Sequence, residues 1–495
     1  MLRNYLTIAW RNLRRHKVFS LINILGLAIG MTACLLILQY VSFELSYDRF
    51  HENANQIYRL NLATFQGAKL ISQNAKSDPE IGFALKASIP EIQEVAPAAN
   101  WWGGVVSTTD SIGQPVAFNE PKVFFVDAAF LRVFSFPLLR GSAAALDEPN
   151  AVILTERMAR KYFGNQDPMG KTLTLENHNQ GHHYVATVRG VCQDVPNNAH
   201  LLFDFLVSRH TPGESGGPAS WSAYTYILLS PKAEAKVLDK KIADFFEKSR
   251  GKEWKESGTR LLLSLQHLTD IHLYSNLDDE ISEGGHGKTV WFLALIALLI
   301  LLIAYINYIN LSTVKAMERA KEVGIRKVLG SQRFHLISQF FLEALALNLI
   351  GIVLALTFVQ FSMPWFSQLS GIAISFTLWK SLWFWLACVS LLGLGTLLSG
   401  LYPAMILSAY QPVQVLKGNL RASTQGITLR KALVLFQFAA SVALMIGTFT
   451  VYLQVSYMRS KDLGMNMTQT LILAAPQFRR ENAAQESAFF QKNAT

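Results

Sequence analysis

The feature that most constrains this chain is a short charged island, Lys315 to Gln339 (KAMERAKEVGIRKVLGSQRFHLISQ), set between two long apolar runs. Upstream, Val290 to Leu311 holds no charged residue, and downstream Ala344 to Trp379 holds none either. Both runs are long enough for a helix to cross a hydrocarbon core, which takes about 20 residues. A polar segment this short between two spans is a loop at one membrane face. Its basic residues, Lys315, Arg319, Lys321, Arg326, Lys327 and Arg333, outnumber Glu318 and Glu322. That excess places the loop in the cytoplasm.

The island also patterns as a helix. Glu318 precedes Lys321 by three positions and Glu322 precedes Arg326 by four, the favourable order for helical ion pairs. Val314, Met317, Ala320, Gly324 and Val328 fall on one stripe. Gly330 can take the left-handed stop conformation, and Ser331 can cap a new helix running into the next span. Pattern alone fits a solvated basic helix beside the membrane as well as it fits a docking surface.

The stretch ERAKEVGIRKVLGSQ resembles the E-R-x-x-E-I-G-I-R-K-x-L-G-A signature of FtsX/MacB-type ABC transporter permeases. Glu318, Arg319, Glu322, Gly324, Ile325, Arg326, Lys327, Leu329 and Gly330 match it; Val323 stands for the usual Ile and Ser331 for the usual Ala. The resemblance implies that this segment couples the chain to a separate ABC ATP-binding subunit.

The chain has 495 residues, 51% hydrophobic and 16% charged, which suits a membrane protein with a sizeable soluble part. The net charge of +10 does not imply nucleic acid, because much of the excess flanks apolar runs, where orientation and anionic lipid headgroups account for it. Residues 1–17 carry Arg3, Arg11, Arg14, Arg15 and Lys17 and no acid, and residues 18–41 follow without a charge. That run is longer than a signal-peptide core, no A-x-A site follows, and apolar residues continue past Cys34, so neither peptidase reading fits. The predicted order is a cytoplasmic N-terminus at 1–17, a first span at 18–41 and an extracytoplasmic domain at 42–289. A second span at 290–311, the coupling segment at 312–339 and a third span at 340–361 follow. An outer loop at 362–381, with Pro364 and Gly371 in it, leads to a fourth span at 382–401. A cytoplasmic loop at 402–431, with a kink at Pro403, precedes a fifth span at 432–455.

Within 42–289, strands are expected at Val123–Val126, Ala151–Leu154, Lys171–Leu175, Tyr184–Val191, Tyr224–Leu229 and Arg260–Leu265, and helices at Thr155–Phe163 and Ala233–Arg250. This is an α+β domain large enough for its own core. The predicted fold class is therefore a polytopic α-helical membrane protein with a large extracytoplasmic α+β domain inserted between transmembrane helices 1 and 2. SYDRFHENANQIYR and YFGNQDPMGKTLTL resemble the entry and a later hallmark of the MacB-like periplasmic core domain, the first especially in Bacteroidota.

Chemistry is sparse. Gly287-Lys288-Thr289 and Gly170-Lys171-Thr172 end like a nucleotide-binding loop, but Ser282 and Asn165 occupy the place of its first glycine, so no P-loop is formed. His178, His182 and His183 cluster, yet neighbours on a strand face opposite ways and would not share an ion. Trp101-Trp102-Gly103-Gly104 reads as a buried turn rather than a substrate loop. Cys34 and Cys388 lie in spans and Cys192 does not, so no disulfide pair is expected. No catalytic constellation, metal site or cofactor is expected.

The resemblance implies the permease subunit of an ABC transporter in the cell inner membrane, transmitting ATP-driven motion to the outer domain to export a macrolide-, peptide- or lipoprotein-like substrate. The alternative is a regulator of an extracytoplasmic cell-wall hydrolase. Implied partners are the ATP-binding subunit, membrane lipids and a periplasmic adaptor or outer-membrane channel. Gln39-Tyr40-Val41-Ser42 parallels Gln454-Val455-Ser456, so residues 432–455 read as the start of a second copy of the unit. Residues 456–495 are then an incomplete second extracytoplasmic segment. The expectation is a truncated form of a two-copy pseudo-dimer, against a five-span chain that homodimerises.

Overall fold

The computed structural model describes residues 11, 15, 17–101, 103–109, 114–177, 182–212, 222–318, 325, 328, 332–371, 382–409 and 424–461. The chain divides into two compact units, one of residues 1–42 and 288–469, the other of residues 43–287 and 470–495.

The helical unit is built from α1 (Lys17–Glu44), α7 (Gly287–Glu318), α8 (Arg333–Ser370), α9 (Leu382–Ala409) and α10 (Thr424–Ser460). Four stretches among the described residues are long and apolar enough to cross a membrane: Lys17–Glu44, Gly287–Val314, Ile337–Ser370 and Arg430–Ser460; Leu382–Leu398 is a shorter apolar helix. Leu27, Met31 and Cys34 of α1 pack with Ala297 and Tyr305 of α7, Leu347 and Ala355 of α8, and Cys388 and Leu391 of α9. Close approach rests on small residues, the usual device where lipid removes the hydrophobic drive between helices. A Cβ on Gly30 would come 2.6 Å from that of Ala304, and one on Gly395 would come 2.3 Å from the Tyr305 hydroxyl. That hydroxyl donates to the Leu391 carbonyl across helices, at 2.9 Å.

These helices outrun the apolar segments that predicted them. Helix α8 continues to Ser370 with Pro364 inside it, so residues 362–370 of the expected outer loop are helical. The stop is Gly371, left-handed at φ 69°, a conformation that costs glycine little. Pro403 likewise falls inside α9. The reason is general: leaving hydrocarbon ends the need for apolar residues but not the backbone hydrogen-bond ladder.

The second unit is α+β. Its strands are β1 (Ile57–Gln66), β2 (Lys69–Asn74), β3 (Ile92–Trp101), β4 (Val105–Thr109), β5 (Pro115–Asn119), β6 (Val123–Val126), β7 (Leu138–Gly141), β8 (Ala151–Thr155), β9 (Thr172–Asn177), β10 (His182–Cys192), β11 (Phe205–Ser208), β12 (Tyr224–Leu229) and β13 (Thr259–His267). They hydrogen-bond in the order β13-β1-β12-β3-β6-β11-β8-β10-β9-β4-β5, with β2 on β1 and β7 on β10. Strand β3 joins two lobes: Ile92–Ala98 pairs with β12, and Ala99–Trp101 pairs with β6.

Burial explains the sequence of each strand. β6, β8 and β12 are buried along their whole length, which is why they read as unbroken apolar runs rather than alternations. In β9, Leu173 and Leu175 are buried while Thr172 and Thr174 turn outward. Short helices cover the sheet. Asp78 caps α2 (Pro79–Ser88) by accepting from the Glu80 amide, and Asp127 caps α3 (Ala128–Val133) by accepting from Ala129. Helix α4 (Glu156–Phe163) ends on Gly164 at φ 59°. Helix α5 (Ala235–Ser257) runs beyond the expected Arg250 and packs Leu238, Ile242 and Phe246 onto Leu60 and Ile227. Helix α6 (Leu268–Tyr274) follows β13.

Candidate functional site

The stretch that resembles the family signature, residues 318–331, begins where α7 ends. Helix α7 is unbroken from Gly287 to Glu318, 32 residues or about 48 Å at 1.5 Å per residue. It carries the backbone from Gly287, where the 43–287 segment ends, to the first residue of the signature. Ile325 and Val328 are helical and more than half exposed. Arg319, Glu322, Val323, Gly324, Arg326, Lys327, Leu329 and Gly330 lie outside the described residues. The next helix opens at Arg333 behind Gln332.

Within the α+β unit lie two polar clamps that sequence reasoning did not find. The first holds the segment that follows α1. Asp48 is buried and left-handed at φ 58°, an uncommon conformation outside glycine that persists only where its surroundings fix it. Its amide donates to the Asn198 carbonyl at 2.9 Å. Its Oδ1 accepts from the His200 amide at 3.1 Å and lies 2.9 Å from His200 Nδ1. His200 Nε2 meets the Tyr226 hydroxyl at 2.8 Å. Asn198 in turn donates to the Ser46 carbonyl and hydroxyl. His51, buried against Phe134 and Phe136, accepts the Ser135 amide at Nδ1 (3.1 Å). Burial pushes the His51 imidazole down to about 4, with nearby Asp48 opposing the shift and His200 adding to it.

The second clamp holds the segment that leads into α7. Arg59, in the middle of β1, has a fully buried side chain. It grips Glu280 with both guanidinium nitrogens, Nη1 to Oε2 at 2.7 Å and Nη2 to Oε1 at 2.6 Å, the fork geometry that suits a carboxylate. Its Nε donates to Asn61 Oδ1, and Nη2 also lies within hydrogen-bond distance of Gln266 Oε1 and Ser275 Oγ. Burial acts to lower the Arg59 pKa, but the Glu280 hydrogen bond and charge, with help from Tyr226, leave it above its ordinary value. The backbone beside Glu280 is tied as well. Asp279 is left-handed at φ 56°, its carbonyl accepts the Tyr224 hydroxyl at 2.7 Å, and Asp278 exchanges backbone bonds with Gln73 and Ala75.

Two family models match the chain: the MacB-like periplasmic core domain over residues 20–245 and the FtsX-like permease C-terminal domain over residues 294–412. The chain belongs to the FtsX/MacB-type ABC permeases. Among curated relatives, this permease is 23% identical over 346 residues to the "Macrolide export ATP-binding/permease protein MacB" of Aggregatibacter actinomycetemcomitans, a match covering 68% of this chain and 49% of that one. It is 26% identical over 209 residues to the protein of the same name from Neisseria meningitidis, covering 41% and 29%. It is 24% identical over 391 residues to the "Pyoverdine export ATP-binding/permease protein PvdT" of Pseudomonas syringae, covering 75% and 53%. The chain thus spans about half the length, or less, of these relatives. Among solved structures, a permease domain from Porphyromonas gingivalis superposes with a TM-score of 0.36 at 18% identity, over 44% of this chain and 91% of that one. The periplasmic region of MacB from Actinobacillus actinomycetemcomitans gives 0.26 at 15%, over 41% and 87%.

The other sequence-selected residues play structural parts. Trp101 is buried at the end of β3, and a Cβ on Gly104 would come 2.5 Å from its ring and 2.4 Å from the Glu176 carbonyl. Trp102 and His178 lie outside the described residues. His182 and His183 are neighbours on β10, and His183 Nδ1 lies 3.2 Å from Glu176. Among the described residues no group of side chains is arranged to hold a metal ion. Gly170 is a left-handed turn, and Gly287 opens α7. Cys34, Cys192 and Cys388 are buried free thiols.

Proposed function

We propose that this permease works as the membrane subunit of an ABC export system, taking up motion at residues 312–339 from a separate ATP-binding subunit and delivering it to the domain at 43–287. One observation supports this above the rest: a single unbroken helix, Gly287–Glu318, runs from the end of the periplasmic-type domain to the start of the coupling signature. A helix is the stiffest short connection a chain can make, so it suits a lever. The matched relatives are named as proteins that join ATP-binding and permease functions. In this reading ATP binding is the work of a separate subunit, as the resemblance at residues 318–331 implies. Export of a macrolide-, peptide- or lipoprotein-like substrate, and an inner-membrane location with the N-terminus inside, belong to the same reading.

The test is reconstitution with the ATP-binding subunit. The purified chain alone should hydrolyse no ATP, and the complex should. Arg326→Glu should weaken docking by about 2–5 kcal/mol, the usual loss for one desolvated interfacial charge contact, while leaving the α+β unit folded. Unchanged binding and turnover in this variant would remove Arg326 from the docking surface.

A further inference from the structure

The two clamps hold the segment after α1 and the segment before α7 separately. A third contact, not used in either clamp, joins these segments to each other. Glu44, the last residue of α1, meets His272 Nε2 through Oε2 at 2.8 Å. Both side chains are buried, each only 8% exposed. The Tyr47 ring lies flat on the His272 ring, with centroids 3.4 Å apart and planes 4° apart, and Phe43 meets Tyr47 edge-on. The third wall is the glycine-rich approach to α7. A Cβ on Gly285 would fall 2.6 Å from Glu44 Oε2 and 3.0 Å from His272 Nε2, and one on Gly284 would fall 2.8 Å from the His272 carbonyl oxygen. A Cβ on Gly287 would fall 2.3 Å from the Tyr274 ring. The sequence EGGHGK at 283–288 is therefore glycine-rich because the chain passes against this contact with no room for side chains.

A buried ionisable pair of this kind is a poor way to add stability. Removing two polar groups from water costs about as much as their attraction returns, and an apolar pair of the same shape often does as well. What it supplies is direction and register: one hydrogen bond, at one distance, between two segments that approach from opposite ends of the domain sequence. We propose that the Glu44–His272 contact, roofed by Tyr47 and walled by Gly284 and Gly285, is a clasp that makes the outer ends of the two flanking segments move as one body. Glu44 and His272 are thus positioning residues for force transmission. The inference rests on the coupling reading above and specifies where its output is gathered. Without the clasp, displacement of α7 would reach the sheet only through Glu280 and Arg59, and the segment after α1 would not move with it.

The test uses the full chain with its ATP-binding subunit in lipid, and reads amide hydrogen exchange in β1 and β13 with and without a non-hydrolysable ATP analogue. In the parent, nucleotide should change exchange in both strands. His272→Ala should keep ATPase turnover within twofold and shrink the nucleotide-dependent change at least fivefold. His272→Gln, which keeps a donor for Glu44, should restore more than half of it; a role in bulk packing alone would not give that rescue. Gly285→Val, which wedges the clasp while leaving Glu44 and His272 themselves unchanged, should behave as His272→Ala does, and carries the test if the alanine variant does not fold. A parent chain with no nucleotide response overturns the coupling reading and the clasp together. A parent that responds while His272→Ala or Gly285→Val responds equally overturns the clasp alone. So does a His272→Ala chain that loses complex formation, because the contact would then act on docking rather than on output.

Discussion

Neutralising Glu280 tests whether the clamp on β1 depends on charge. In Glu280→Gln the side chain keeps its length and one acceptor, but the Arg59 cation, whose side chain is fully buried, loses its counter-charge. Arginine does not shed its proton in proteins, so it cannot escape by neutralising. Removing one partner of a buried pair costs about 3–5 kcal/mol. Glu280 is 18% exposed, so water softens the pair, and the lower end, about 3 kcal/mol, is the expected loss. A local reporter is built in. Cys192 is fully buried in the same core cluster as Ile57 of β1, and burial pushes its thiol up to about 12. Cys34 and Cys388 can be replaced by alanine, which leaves Cys192 as the one thiol. Labelling of Cys192 then requires the domain to open, and 3 kcal/mol corresponds to roughly 150-fold faster labelling at 1.4 kcal/mol per decade. Arg59→Met combined with Glu280→Gln removes both charges and should label more slowly than Glu280→Gln alone. Labelling of Glu280→Gln within about threefold of the parent, or a double variant faster than the single one, would refute the argument that an uncompensated buried charge is the cause.

Other expectations follow from the same geometry. Burial holds the His51 imidazole down to about 4 against an ordinary 6.5, and its Nδ1 accepts the Ser135 amide, so His51 is neutral in the fold and the unfolded chain binds more protons between those values. Stability should be fully present above about pH 6.5 and fall as pH drops towards 4, by at most about 1.4 kcal/mol per pH unit; Cys192 opening rates across pH should show this slope, and His51→Asn should flatten it. Gly104→Ala places a Cβ against the Glu176 carbonyl and the Trp101 ring, and should cost about 1–3 kcal/mol as overpacking, read as faster Cys192 labelling. For topology, Glu148→Cys, on an exposed turn of the α+β unit, should react with an impermeant thiol reagent without permeabilising the inner membrane, and reaction only after permeabilisation would invert the assigned orientation.

The parts of the fold that were legible in the sequence are those where one local pattern decides the outcome. β6, β8 and β12 are apolar throughout because they are covered on both faces, and each falls within a residue or so of its expected place. The family signature at residues 318–331 is contiguous, so it could be read directly, although most of it lies outside the described residues. β3 was missed because IQEVAPAANW carries Pro97 and polar residues, which ordinarily argue against a central strand; its place is set by pairing with both β12 and β6. β2 (KLISQN), β4 (VVSTT) and β5 (PVAFN) were missed because each is short and none carries a sustained apolar run or alternation, although β2 pairs with β1, and β4 with β5, close by in the chain. The clamps were invisible for a related reason. Arg59 and Glu280, or Asp48 and His200, are brought together only by the finished sheet.

One local signal for the clamps was present nonetheless. In IYRLNL, Tyr58, Leu60 and Leu62 line one face of β1, while Ile57, Arg59 and Asn61 line the other. A strand that places a cation and an amide side by side on its second face must either expose that face or satisfy both groups internally. The domain is large enough for its own core, which argues for burial, so Arg59 demands an acid beside it. The structure supplies Glu280, just ahead of the helix that leads to the coupling signature. The same logic applies at Asp48, the buried acid that follows the first span, whose partner is His200. Both polar joints therefore fall where the chain changes surroundings, each beside an aspartate held left-handed, Asp48 in one case and Asp279 in the other. An apolar contact at these places would tolerate sliding, since burial depends on area and not on direction. A directional hydrogen-bonded joint does not. Under the coupling proposal above, that difference accounts for charge buried where the sequence would otherwise favour leucine.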